Sequence, residues 1–237
     1  MTEPRQIHED EIKGLHRISS GATLGLAAGV AGLVIPLLVI FLTTDRVGAI
    51  FPVRPELIRA ATILAIVGAI LFFVSLLFYR RGFWVLRRAE RWFWVPSVLC
   101  LVGTLGFLLL IVAALLAAGS SDALVQCLQG RPTHALSCLR TASPFAADSG
   151  IVGYWLAWLG GLGIVVGLVL SGREYRQSAL YAGAGLYAIL LLILVPSFLA
   201  VVLQEGELTY PLLLGPLLVL LAPGVVLDGA RRARVRR

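Results

Sequence analysis

Cysteine and histidine side chains hold the most obvious chemistry in this chain, which has three of each. Cys127 and Cys138 share the polar stretch 120–150, and Cys100 stands alone in an apolar run. Two cysteines in one exposed loop of an oxidising compartment bond to each other, so a structural disulfide is expected. Closing a loop of that size stabilises by at most ~3 kcal/mol in the chain-entropy picture. Two other uses of the pair are open to these residue types. With His134 between them, Cys127, His134 and Cys138 supply three zinc ligands, but the spacing fits no standard zinc pattern and a fourth ligand is missing. A redox-active dithiol facing a quinone normally has Cys-x-x-Cys spacing, and here ten residues intervene. Cys100 reads as a small buried apolar residue.

Other reactive constellations are missing from the sequence. Deep inside the apolar runs there is no Asp, Glu, Lys, Arg or His. Such residues mark proton relays, ion paths and cofactor ligands, so an ion-coupled antiporter, a proton pump and a bis-histidine haem protein are not expected. The serine of Leu170-Ser171-Gly172 has no histidine in a span to activate it. Neither His-Glu-x-x-His nor a Walker motif is present. The reading leans away from an enzyme, and no cofactor or metal is expected.

Arginine is the remaining reactive type, and its placement is periodic. Residues 80–95 read RRGFWVLRRAERWFWV. Here Arg80, Arg81, Arg87, Arg88 and Arg91 interleave with Phe83, Trp84, Trp92, Phe93 and Trp94. Trp favours the headgroup level and Arg reaches phosphates there, so residues 80–94 are expected to lie in the membrane interface. Arg87, Arg88 and Arg91 within one turn would suit a short amphipathic helix. The tail repeats the theme, with Arg231, Arg232 and three further arginines; Asp228 at its start is expected to pair with Arg231 or Arg232. Each tail arginine adds ~1 kcal/mol of attraction to an anionic leaflet. With a formal net charge of +7, the partner expected is anionic lipid headgroups, not nucleic acid.

What positions these residues is a set of six apolar runs: about 21–42, 57–79, 95–119, 151–170, 178–203 and 211–227. A helix of about 20 residues crosses a ~30 Å hydrocarbon core. The expected fold class is therefore all-α: a polytopic six-transmembrane-helix bundle over 21–229. Flanking it are an N-terminal segment 1–20, an outer loop 120–150 and a basic tail 230–237. Fifteen of the twenty Lys and Arg residues lie in the N-terminal segment, the second and fourth gaps and the tail. Basic loops face the cytoplasm, so both termini are expected there, in a cell membrane. The chain lacks Asn and has a single Lys, a bias expected of a GC-rich prokaryotic genome.

Small residues form two seams. Gly21, Gly25, Ala28 and Gly32 share one helical face, and Gly153, Ala157, Gly160, Gly167 and Ser171 form a similar stripe. Such faces let helix backbones approach closely in lipid. They pack either within the bundle or against another subunit. Pro36, Pro196, Pro216 and Pro223 interrupt spans, and the last run, with Gly215-Pro216 and Pro223-Gly224, is expected to be the most broken. In the outer loop a short helix over 122–129 is expected, capped by Ser121 or Asp122. The functional expectation is a non-catalytic membrane subunit or scaffold that packs with other membrane proteins. The alternatives are a permease component for an apolar substrate and an extracytoplasmic thiol oxidoreductase.

Overall fold

A computed structural model describes residues 9–31, 55–120, 122–123, 126–127, 135–203 and 209–235. All secondary structure among the described residues is helical, without strands. The helices are α1 (Glu9–Gly29), α2 (Pro55–Leu86), α3 (Trp94–Gly119), the short α4 (Ala135–Ala142), α5 (Pro144–Tyr175), α6 (Ser178–Leu203) and α7 (Thr209–Val235). Among the described residues three segments are long and apolar enough to cross a membrane: Ile66–Leu86, Arg91–Gly119 and Pro144–Tyr175. A shorter apolar segment covers Ser178–Leu194.

Local sequence explains the boundaries. Glu9, Asp10 and Glu11 fill the first turn of α1, where the positive end of the helix dipole favours carboxylates. The helix thus starts within the segment 1–20 and continues through Gly21 without a break. α5 starts with Ser143 extended and Pro144 in its first turn, the position where a missing N–H costs nothing. It therefore reaches back into the stretch read as outer loop. At its far end Arg176 turns the chain in a left-handed conformation (φ 49°, ψ 43°), and the Gln177 N–H donates to Gly172 O at 3.1 Å. α6 begins one residue later.

The long helices form a closed ring in chain order: α1 packs on α2, α2 on α3, α3 on α5, α5 on α6, α6 on α7, and α7 returns to α1. Each neighbour runs antiparallel to the last. Gly14 of α1 meets Leu86 of α2 while Gly21 meets Tyr79 and Ser75; His16 meets Arg234 of α7 while Gly29 meets Val219. One end of the bundle therefore carries the start of α1, the α2–α3 connection, the α5–α6 turn and the end of α7. α4 lies against α5 and α6.

One core runs through the ring, with Leu15 and Ile18 from α1, Leu76, Tyr79 and Phe83 from α2, Cys100 from α3, Leu168 from α5, Tyr187 from α6 and Val226 from α7. The prolines do not divide the helices: α6 continues past Pro196, and α7 runs unbroken through Pro211, Pro216 and Pro223. A proline removes one intrahelical bond, and here the turns on either side remain helical. Pro36 lies outside the described residues.

Candidate functional site

The basic and aromatic segment 80–94 sits at the ring end that holds the terminal helix ends. α2 extends through Leu86, so Arg80, Arg81 and Trp84 are on its last turns. A turn over Arg87–Ala89 and a 3-10 helix Arg91–Phe93 then lead into α3. The expected amphipathic helix around Arg87 is replaced by this tight turn, in which the Ala89 and Glu90 N–H groups both donate to Leu86 O.

Its aromatics split by chemistry. Trp84, Trp92 and Trp94 point outward, 51%, 64% and 49% exposed. Phe83 and Phe93 are fully buried, and the rings Tyr79–Phe83–Phe93 stack inward at centroid distances of 5.9 and 6.2 Å. Their inward position departs from the interfacial one expected for the whole segment. An indole has an N–H that suits the wet edge of a membrane, whereas a phenyl ring has no polar handle to place there.

The arginines also divide. Arg87 lies over the Trp84 ring, its guanidinium carbon 4.0 Å from the ring centroid, a cation–π contact. Arg88 pairs with Asp10 of α1. Arg81 and Arg91 are exposed, and Arg80 is half-buried. On α7, Arg231 and Arg232 are exposed, and Arg232 pairs with Asp228 at 2.8 Å. Arg234 turns back to α1, its guanidinium 3.1 Å from His16 Nδ1 and 3.5 Å from Ser19 Oγ. The first half of α1 is thus tied to the α2–α3 turn and to α7 at this end.

Small-residue seams lie inside the ring. A Cβ at Gly21 would meet the Tyr79 ring at 3.1 Å, and Gly25 faces Ser75, Tyr187 and Pro223. Gly153 meets Gly106 O and Leu109 of α3, Gly160 meets Gly103, and Gly167 receives the tip of Phe83. Gly32 lies outside the described residues. The α3 half of this contact, Gly103 and Gly106, went unread in the sequence; its signal was a Gly-x-x-Gly pair in an apolar run.

Further polar anchors were equally unread. Tyr154 OH and Trp158 Nε1, one turn apart on α5, donate to Leu194 O and Leu191 O of α6 at 2.6 and 3.1 Å. Ser75 Oγ donates to Gly21 O at 2.7 Å, satisfying a buried hydroxyl in the way membrane helices commonly do.

At the opposite end, Cys127 and Cys138 are at disulfide distance, with Cα atoms 5.6 Å apart. Cys138 is 1% exposed. Asp122, Ala123, Gln126 and Cys127 are helical; the rest of the short helix expected over 122–129 lies outside the described residues. His134 does too. No group of three or more metal-ligating side chains occurs among the described residues. Cys100 is a buried free thiol, 4.0 Å from Gly160 O.

These features define an all-helical protein with several helices compatible with membrane insertion, a packed core, and a rim of tryptophan and arginine at one end. Comparison with known families, curated proteins and solved structures finds no match to this chain.

Proposed function

We propose that this chain is a non-catalytic integral membrane subunit or scaffold of a prokaryotic cell membrane, held by anionic lipids and packed beside other membrane proteins. In this reading the six apolar runs all cross the bilayer, and both termini are cytoplasmic. The observation that carries it is the rim: exposed Trp84, Trp92 and Trp94 interleaved with exposed Arg81, Arg87 and Arg91 on one end of the bundle. An indole beside a guanidinium matches a lipid headgroup, which offers an apolar boundary and a phosphate within a few ångströms.

The outer face of α3 supports the packing half of the proposal. Val98, Leu101, Leu105 and Leu108 are 36–53% exposed and form one helical stripe, a ridge that accepts acyl chains or a partner helix. The permease alternative relied on breaks in the last span, and α7 is continuous. Burial of Cys138 favours a structural role for the cysteine pair over a redox one, since thiol exchange needs access.

The test is affinity purification from the native host in mild detergent or nanodiscs, with bound proteins and lipids identified by mass spectrometry. A stoichiometric set of protein partners together with anionic phospholipid is the expected result. A lone chain carrying one specific apolar molecule would overturn the scaffold and put the permease in its place.

A further inference from the structure

The outward faces of α2 and α3 share one order of chemistry along their length. On α2, Val67, Ile70, Val74, Leu77, Arg81 and Trp84 recur at alternating spacings of three and four, which puts them on one helical face. Val67 and Ile70 are 41% and 45% exposed, and Arg81 and Trp84 further along are exposed as well. On α3 the order repeats from the same end of the bundle, with exposed Trp94 leading into the stripe from Val98 to Leu108. The arginines here differ in what satisfies them. Arg88 is paired with Asp10, but the guanidinium groups of Arg81, Arg87 and Arg91 have no hydrogen bond or ion pair among the described residues. Arg87 lies over the Trp84 ring, a contact that uses its charge and none of its N–H donors. Arg81 and Trp84 are three apart on the helix, so both guanidinium groups border the same indole. Glu90 is the one acidic residue of segment 80–94, and its Oε2 is closed off from solvent.

We propose that the outward face of the α2–α3 hairpin holds one anionic phospholipid, with its phosphate on Arg81 and Arg87 beside Trp84 and an acyl chain along the α2 stripe. This rests on the lipid half of the proposed function and narrows it from a charged rim to a single site. Charge complementarity selects the occupant. A phosphodiester accepts from two guanidinium groups at once, and neither of these is paired with a carboxylate among the described residues. Length agrees with that choice. From Arg81 back to Ile70 is eleven residues, about 16 Å of helix, which matches one half of a ~30 Å hydrocarbon core. A second copy of the chain fits poorly. Copies inserted in one orientation hold their arginines at one depth, so hairpins placed face to face would oppose three unpaired guanidinium groups from each.

Native mass spectrometry of the purified full chain, titrated in detergent with phosphatidylglycerol or with zwitterionic phosphatidylcholine, tests it by counting bound lipids. The expected result is one phosphatidylglycerol per chain, held roughly ten-fold more tightly than phosphatidylcholine or any further lipid. Arg81→Gln combined with Arg87→Gln should bring that first lipid down to the phosphatidylcholine level. Both side chains are exposed, so the change removes no core packing. Arg173→Gln combined with Arg176→Gln removes the same charge from exposed positions at the same end and should leave the tight lipid in place. Glycerol 3-phosphate, which has the phosphate without the chains, should not displace it at equal concentration. An equal loss in the two double variants, or none in the first, would overturn the site while leaving a diffuse attraction to anionic lipid. So would displacement by glycerol 3-phosphate, or a dimer that excludes the lipid, since the occupant would then be a free phosphate or a second copy. No preference for phosphatidylglycerol in the unaltered chain would sink the lipid half of the proposed function as well.

Discussion

At the scale of single residues, two glycines bring the backbones of α3 and α5 into direct contact. A Cβ on Gly160 would fall 2.5 Å from Gly103 Cα, against backbone that cannot swing aside. Gly160→Val should therefore push α3 and α5 apart and cost about 3 kcal/mol, the upper part of the usual range for overpacking a core. Gly185 on α6 is the control, with nothing within 4 Å of its Cβ position. Gly185→Ala should stabilise by up to ~1 kcal/mol through helix propensity. Thermal melting in detergent, followed by size-exclusion chromatography, checks both, and equal effects would remove the packing argument. The stripe of Gly153, Gly160 and Gly167 was legible in the sequence because glycine periodicity needs only one helix to be seen. What the stripe meets was not, since Gly103, Gly106 and Phe83 come from two other helices.

At the scale of elements, five apolar runs fall within α2, α3, α5, α6 and α7, whereas the first shares only residues 21–29 with α1 and continues beyond the described residues. Apolar runs report where lipid or core begins, whereas a helix ends where backbone bonding ends. α1 begins in charged sequence at Glu9, and α5 begins at Pro144 within a polar stretch, because helix starts are set by carboxylates and proline as much as by apolar residues. The α5–α6 turn shows the converse. It places Arg176 at φ 49°, where glycine is at ease and a side chain is strained. Arg176→Gly should raise stability by up to ~1 kcal/mol, seen as a higher melting midpoint; a lower one would mean that the guanidinium contributes more than the strain costs. Cys127 and Cys138 tie the other end. Replacing both by serine should lower stability by at most ~3 kcal/mol while leaving the helical content by circular dichroism unchanged. Loss of the fold on that change would show that the staple organises the helices instead of only trimming the freedom of the loop.

At the scale of the whole molecule, alternation is the strongest constraint. In the closed ring each long helix is antiparallel to the next, so the start of α1 and the end of α7 meet at one end, joined through His16, Ser19 and Arg234. If all the long helices cross the bilayer, both helix ends must lie on one side, which the proposed orientation makes the cytoplasmic one. Single cysteines report this directly, because the native background is silent: Cys100 is buried and free, and Cys127 and Cys138 are paired. Glu9→Cys and Arg231→Cys sit at exposed positions on the arginine-rich end, and Phe145→Cys at an exposed position on the other. A membrane-impermeant maleimide should label Phe145→Cys in intact cells, and should label Glu9→Cys and Arg231→Cys only after the membrane is opened. The reverse pattern would keep the bundle and invert its orientation, leaving the arginines on the outer face and removing the anionic-leaflet argument. Labelling of Glu9→Cys and Arg231→Cys from opposite sides would require an odd number of crossings, and a closed ring of six alternating membrane-spanning helices could not then be the arrangement in the membrane.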